Sequence, residues 1–360
     1  MARALRLAAR GRRTCDPNPR VGCVLVRDGA CVGEAWHERA GEPHAEILAL
    51  RAAGDKATGA TAYVTLEPCS HYGRTPPCAD ALIESGVARV VAGATDPNPR
   101  VSGRGLERLR EAGVAVAAGL MAAESEHLNP GFFRRMRAGL PYVRAKLAAS
   151  LDGRTAMASG ESRWITGAAA RRDVHGLRAA SSAIVTGVDT VIADDPQLTA
   201  RDVEGAFLAP RRIVLDTQLR TPPTARLLTD QAGVVIVHGG AMPAREPDLV
   251  HAGAELWQVA QGEDAHVAPV AVLEALAGAE LNEVLVEAGP RLTGAWLQAG
   301  VVDELIVYLA PHLMGHEGHP MLALEGLETM ADRLPLEAID ERRIGEDWRL
   351  TLRVGEREED

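Results

Sequence analysis

The chain is short of several things, and each shortage removes a class of protein. Cysteine occurs five times in 360 residues, too sparsely and irregularly for a disulfide scaffold, so a reducing cytoplasm is expected. No apolar run approaches the ~18 residues that a membrane-spanning helix requires, and no membrane partner is expected. Basic residues do not outnumber acidic ones. The formal charge is −10, which argues against a nucleic-acid partner, whose phosphates call for a basic footprint. Internal repeats and low-complexity segments are missing. Lysine is nearly missing too: Lys56 and Lys146 are the only two among 39 basic residues. What remains is the composition of an ordinary globular protein, long enough for two domains.

Against this background His44-Ala-Glu46, Pro68-Cys69 and Cys78 stand out. One imidazole and two thiols suit zinc, and three protein ligands leave its fourth position for water. Zinc lowers the pKa of that water, so hydroxide is available near neutral pH. Glu46 need not touch the metal and is left to shuttle protons. His-x-Glu followed by Pro-Cys and a second Cys is the signature of zinc nucleobase deaminases. The usual spacing is Pro-Cys-x-x-Cys, whereas here eight residues (Ser-His-Tyr-Gly-Arg-Thr-Pro-Pro) separate the cysteines. A closed structural site would need a fourth ligand. The nearest candidates, His71, Cys31 and His37, have no characteristic ligand spacing. Cys15, Cys23 and Cys31 read as buried small apolar residues.

The local pattern places these groups. The arginine-rich start (Arg3, Arg6, Arg10, Arg12, Arg13) resembles a transit peptide in composition. Residues 2–10 nevertheless read as the first helix, ended by Gly11, because Asp16-Pro-Asn-Pro19 and a strand follow at once. Val21–Val26 and Ala30–Trp36 flank Asp28-Gly29, a hairpin signal. Residues 45–53 read as a helix closed by Gly54, with His44 at its N-terminus. Tyr63–Leu66 reads as a strand, and Cys78 opens a helix over 79–85. Strands at 88–92 and 114–117 bracket a helix over 105–112, giving a mixed sheet with helices on both faces. Gly131–Pro141 reads as a turn and linker, so the domains are expected at 1–140 and 141–360. Beyond Pro141, strands at 142–147, 183–186, 212–215, 234–237, 283–287 and 305–309 alternate with helices, as in an α/β fold with a largely parallel sheet. The last residues, Gly355–Asp360, read as a solvated tail.

Three features of the second half are suggestive. Glu287–Gly294 joins a strand to a helix through a glycine-rich loop that could cradle a phosphate, although it is neither Gly-x-Gly-x-x-Gly nor a Walker loop and a plain turn fits as well. Thr190–Arg201 reads as a polar loop between elements. Lys146 falls mid-strand in a chain that otherwise uses arginine. It is either an amine needed for its compact charge or an edge-strand lysine in water.

Taken together, Asn18-Pro-Arg-Val-Gly22, Gly41–Glu46, Thr65–Cys78, Ala149–Ala156, Gly160–Thr166, Ala193–Pro196, Val286–Pro290 and Val302–Leu305 resemble the bifunctional riboflavin-biosynthesis deaminase/reductase family. The likeness spans nearly the whole chain, and the eight-residue cysteine spacing is its most specific element. It implies an α/β protein: an N-terminal cytidine-deaminase-like three-layer αβα domain and a C-terminal dihydrofolate-reductase-like domain. It implies one zinc per chain and NADPH; a homo-oligomer is expected. The implied substrate is a pyrimidine ribosylamino phosphate, deaminated first and then reduced from ribosyl to ribityl.

Position by position, the resemblance makes His44, Cys69 and Cys78 the zinc ligands and Glu46 the proton shuttle. Asn18, His37, His71 and Arg74 would hold the deaminase substrate, Arg74 suiting its phosphate. Lys146, Ser162, Arg178, Leu198, Arg201 and Glu287 match reductase substrate positions. Ala148, Trp164, Thr190, Asp194, Thr217 and the loop Gly289, Pro290, Arg291, Leu292, Thr293, Gly294 and Ala295 match cofactor positions. Three alternatives stand beside this reading: a nucleic-acid deaminase, a zinc-stabilised scaffold, and a deaminase with a silent second domain.

Overall fold

The computed structural model describes residues 1–70, 76–99, 101–230 and 233–355. It divides into two compact units, Met1–Leu140 with Ala206–Leu208, and Pro141–Gly205 with Ala209–Asp360. Among the described residues, no helix is long and apolar enough to cross a membrane.

The first unit runs α1 (Ala2–Ala8), β1 (Gly22–Arg27), β2 (Ala30–Trp36), α2 (Ala45–Ala53), β3 (Thr61–Leu66), α3 (Cys78–Glu84), β4 (Arg89–Ala94), α4 (Arg104–Glu111), β5 (Ala115–Ala118), α5 (Ala122–Leu128) and α6 (Pro130–Ala138). Its sheet is ordered β2-β1-β3-β4-β5, antiparallel at β1–β2 and β1–β3 and parallel beyond. The β1–β2 hairpin turns at Asp28 and Gly29, both at positive φ (51° and 77°), the conformation a two-residue type I′ turn needs.

The pleat sends alternate side chains of β1 to opposite faces. Cys23 and Leu25 pack with Ala45, Ala49 and Leu82 under α2 and α3, whereas Val24 packs with Ala4 and Leu7 of α1. Three αβα layers result. Two glycines let the helices sit this close: a Cβ on Gly22 would lie 2.0 Å from the Ala4 carbonyl oxygen, and one on Gly33 would lie 2.3 Å from that of Ala49.

Three expectations are corrected here. The segment read as a turn and linker is α6, which starts on Pro130 and buries Phe132 and Phe133 against Leu66 and Ala94. The first α-helix ends at Ala8 and tightens into a 3₁₀ turn through Arg13. Cys31 is exposed rather than buried, because it lies beside the hairpin turn on the outermost strand.

The second unit runs β6 (Tyr142–Ser150), β7 (Arg154–Ala156), α7 (Ala168–Ala179), β8 (Ala183–Gly187), α8 (Val188–Asp194), β9 (Arg211–Leu215), β10 (Val234–His238), α9 (Glu246–His251), β11 (Ala254–Gln258), α10 (Pro269–Gly278), β12 (Glu283–Val286), α11 (Pro290–Gln298), β13 (Glu304–Ala310), β14 (His319–Pro320), β15 (Leu336–Ile344) and β16 (Asp347–Val354). The sheet order is β11-β10-β9-β8-β12-β6-β13-β16-β15. It is parallel through β13 and closes on an antiparallel hairpin. Strands buried on both faces read as continuous apolar runs; β10 is buried at every position. The hairpin β15–β16 was not anticipated, because its Glu- and Arg-rich strands are half-exposed and lack such a run. The segment read as a polar loop over 190–201 starts instead with the last turns of α8.

Candidate active sites

In the first unit, two helix starts and one strand end converge. His44 is the N-cap of α2 and Glu46 lies in its first turn. Cys69 follows the end of β3, and Cys78 opens α3 after Pro77. Nδ1 of His44 lies 3.2 Å from Sγ of Cys78 and 3.6 Å from Sγ of Cys69. The Cys78 backbone N–H donates to Cys69 Sγ at 3.3 Å. The three ligand atoms lie within 4.8 Å of one another, and one nitrogen with two sulfurs is a donor set that fits zinc.

The electrostatics mark a thiolate beside the imidazole, and zinc would take the place of the imidazole proton. Contact with Cys78 first, and with His44, pulls the Cys69 thiol down to about 4. Its hydrogen bond to Cys69 pushes the His44 imidazole up to about 9. Burial pushes the Glu46 carboxyl upward. Glu46 is 3% exposed, and its Oε2 has no hydrogen-bond partner.

Two further expected residues join this cluster. The His37 ring stands edge-on to His44 with centroids 5.2 Å apart. Asn18 Nδ2 lies 3.0 Å from His37 Nε2, and His37 Nδ1 lies 3.3 Å from the Pro43 carbonyl. Burial keeps His37 below its ordinary pKa. A neutral ring that donates from Nδ1 to Pro43 and accepts from Asn18 at Nε2 satisfies both contacts. His71 and Arg74 lie outside the described residues. Sequence reasoning missed Asp96, whose carboxyl burial raises to about 6, with the charges of Glu67 and Cys69 adding to the rise. Its position just after an apolar strand, in Thr95-Asp-Pro-Asn-Pro99, was the available signal.

In the second unit, Lys146 is on β6, between β12 and β13, so the edge-strand reading falls. Arg178 on α7 grips Glu287 with two hydrogen bonds, Nε to Oε1 at 2.5 Å and Nη2 to Oε2 at 2.9 Å. Burial lowers the Lys146 pKa, and the nearby Arg178 charge adds to this while Glu287 opposes it. Burial works against the Glu287 charge, but Arg178 and Lys146 outweigh it and hold the carboxyl below its ordinary range. The Thr199 carbonyl accepts from Arg178 Nη1 at 3.1 Å and also faces His175 Nδ1 at 3.1 Å. Beside it Leu198 is buried at a φ of 51°. His175 was missed, although it sits three residues from Arg178 and so shares its helix face. Arg201 bonds Gln197 at 2.6 Å, and Ser162 is half-buried on the loop before α7.

Of the expected cofactor positions, Thr190, Thr217 and residues 289–295 follow the carboxyl ends of β8, β9 and β12. β8 runs directly into α8 through Gly187, and β12 leads into α11, whose N-cap is Gly289. Two helix N-termini at adjoining parallel strands favour an anionic dinucleotide. A Cβ on Gly187 would lie 3.4 Å from Leu292, so the two starts are neighbours. Thr186 and Thr293 each bury a hydroxyl without a partner, and Gly294 packs where a Cβ would meet the Ala323 carbonyl oxygen at 1.9 Å. Thr190 lies on α8, Asp194 ends it and accepts from Arg163 at 2.9 Å through its carbonyl, and Ala148 is half-buried on β6. Thr217 follows β9 and accepts from the Val267 N–H at 3.2 Å. Pro290 opens α11, with Arg291 and Ala295 exposed on it. Trp164 is 70% exposed, with Arg171 stacked at 4.5 Å.

Comparison with known proteins gives these two sites their class. Residues 1–94 match the cytidine and deoxycytidylate deaminase zinc-binding region, and residues 141–350 match the RibD C-terminal domain. The chain is 54% identical to the riboflavin biosynthesis protein RibD of Escherichia coli over 98% of both chains. It is 41% identical to that of Aquifex aeolicus over 96% and 95%. The Acinetobacter baumannii RibD structure superposes with a TM-score of 0.91 at 44% identity, covering 99% of this chain and 98% of that one. A Thermotoga maritima deaminase/reductase structure does so with 0.86 at 32% identity, covering 99% and 97%. The two units therefore make an enzyme that couples a zinc-binding deaminase to a reductase related to NADPH-using enzymes. The chain belongs to the RibD family of bifunctional riboflavin-biosynthesis enzymes, which leaves no place for the scaffold or silent-module alternatives.

Proposed function

We propose that the first unit deaminates 2,5-diamino-6-ribosylamino-4(3H)-pyrimidinone 5′-phosphate. The second then reduces the ribosyl group of the product to ribityl with NADPH. The observation that carries the first step is the buried Glu46 oxygen without a partner, in the first turn of the helix that His44 caps, with His44, Cys69 and Cys78 bringing three ligand atoms together. His44, Cys69 and Cys78 would hold zinc, which supplies the Lewis acidity that makes hydroxide available near neutral pH. Glu46, kept basic enough by burial to carry a proton, moves two in turn: one from the attacking water to the ring nitrogen, and one from the added hydroxyl to the amine, which leaves as ammonia as the C–N bond breaks. Asn18 and His37 orient the pyrimidine, and His71 and Arg74 complete the substrate site.

In the second unit, the paired starts of α8 and α11 support the nucleotide, with Ala148, Trp164, Thr190, Asp194, Thr217 and the loop from Gly289 to Ala295. Lys146, Ser162, Arg178, Leu198, Arg201 and Glu287 hold the substrate. The hydride chemistry belongs to the cofactor; the residues supply orientation and charge. We further propose domain limits at 1–140 and 141–360, a cytoplasmic homo-oligomer, and no nucleic-acid partner. The test is an assay on the diaminopyrimidinone ribosylamino phosphate with ammonia and NADPH followed separately. Ammonia first and NADPH loss only afterwards is the expected order; NADPH loss preceding ammonia would overturn it.

A further inference from the structure

The hydrogen bonds of the first unit converge on a residue that the mechanism above does not use. Glu67 is 3% exposed and lies two residues before Cys69. Its Oε2 accepts from the backbone N–H of Asp96 at 3.2 Å and of Gly103 at 2.9 Å. Its Oε1 accepts from the N–H of Gly105 at 2.9 Å and of Leu106 at 3.3 Å. The last three are the N-cap, second and third positions of α4, whose own N-cap is a glycine with no side chain to offer. A helix start leaves such donors unsatisfied, so Glu67 caps α4 from the end of a distant strand.

The same region is held sterically. A Cβ on Gly105 would lie 2.0 Å from the Pro68 carbonyl oxygen. α4 is thus pressed against the Pro68-Cys69 turn, and Asp96, tied to the same carboxylate, is buried.

We propose that Glu67 is a positioning residue for deamination: it ties the buried Asp96 and the start of α4 to the turn bearing Cys69, and so fixes that turn for substrate binding. This rests on the deaminase reading of the first unit. Four N–H donors need an acceptor on each side, and a carboxylate is an acceptor at both oxygens, whereas an amide turns one into a donor. Glu67→Gln therefore keeps the shape and loses half the clamp.

The experiment compares full-length zinc-loaded wild type, Glu67→Gln and Gly105→Ala, which keeps the carboxylate but drives a Cβ to 2.0 Å from the Pro68 carbonyl oxygen and 3.3 Å from Glu67 Oε1. Zinc content, both activities and amide hydrogen exchange are read on each. Both variants are expected to keep one zinc per chain and full reductase turnover. Exchange should quicken at Gly103, Gly105 and Leu106. The KM for deamination should rise about tenfold while kcat stays within about threefold, the mark of lost ground-state positioning. An unchanged KM per zinc-loaded chain would reduce Glu67 to a stabilising cap, and zinc loss would make it a support of the metal ligands; either overturns the proposal. Absence of ammonia release by the wild type would instead sink the deaminase reading itself.

Discussion

Glu46 Oε2 is a buried oxygen without a partner, and a polar atom left so costs about 1–3 kcal/mol. A proton carrier beside a water-holding metal explains why the cost is tolerated. Replacing it in Glu46→Ala is expected to lower the ammonia-release kcat by about 10²–10⁴-fold, while metal analysis still finds one zinc per chain. Zinc loss in that variant would contradict the role. Lys146 had two readings in the sequence, and its place on a central strand removes the edge-strand one, leaving a half-buried ammonium near Arg178 and Glu287. Lys146→Arg puts a flat, larger fork where a compact charge stood. We expect NADPH oxidation to fall about 10- to 100-fold, the cost of a misplaced contact, with ammonia release unchanged; steady-state rates of both steps on one preparation check it. Residue types and spacings made His44, Cys69, Cys78 and Glu46 legible as a set. Glu67 and His175 were not, since what matters in them is which distant backbone atoms they reach.

At the scale of elements, small residues set how closely helices approach the sheet. Gly33 faces α2, the helix that starts with His44 and Glu46. Its substitution by alanine would drive a Cβ to 2.3 Å from the Ala49 carbonyl. Overpacking of this kind costs about 1–3 kcal/mol, so chemical denaturation should show that loss, and ammonia release should fall with reduction intact. Another element-level device is the loop that follows β6. Asp152 accepts hydrogen bonds from the Ser150 hydroxyl at 2.5 Å and from the backbone N–H of Met314 and Gly315 at 3.0 and 2.8 Å. The Ser150 bond first, then the two amides, hold its carboxyl at about 2 instead of 3.8. A depressed folded-state pKa stabilises at pH values above the unfolded one and is lost as pH falls. The stability gap between wild type and Asp152→Asn, measured by thermal melts, should be full above pH 3.8, shrink below it and close near pH 2. The hairpin at Asp28-Gly29 and the buried strands were readable because turn chemistry and apolar runs are local. The helix over 130–138 and the hairpin β15–β16 were not: the helix anchors itself mainly through the adjacent Phe132 and Phe133, which show no helical period, and the hairpin is largely exposed on β15 and half-buried on β16.

For the whole molecule, the division into two compact units predicts that the activities separate. Removing zinc with a chelator should abolish ammonia release yet leave NADPH oxidation on the already deaminated substrate within about twofold, since the metal ligands all belong to one unit and the active site of each is built on its own scaffold. Parallel loss of both would mean that the metal holds the reductase together as well.

What the sequence determined by itself were quantities that depend on neighbours along the chain: the exclusion of membrane-spanning helices, the donor set for zinc, the alternation of strands and helices, and the family likeness. Only the tertiary structure decided that Lys146 lies on an interior strand, that Cys31 is exposed, that α8 and α11 begin side by side, and that Glu67 caps a helix whose start is 37 residues away from it. The physical reason is that burial and capping are properties of a surrounding. Sheet order and helix packing bring that surrounding from elsewhere in the chain, and no local pattern records which segment will supply it.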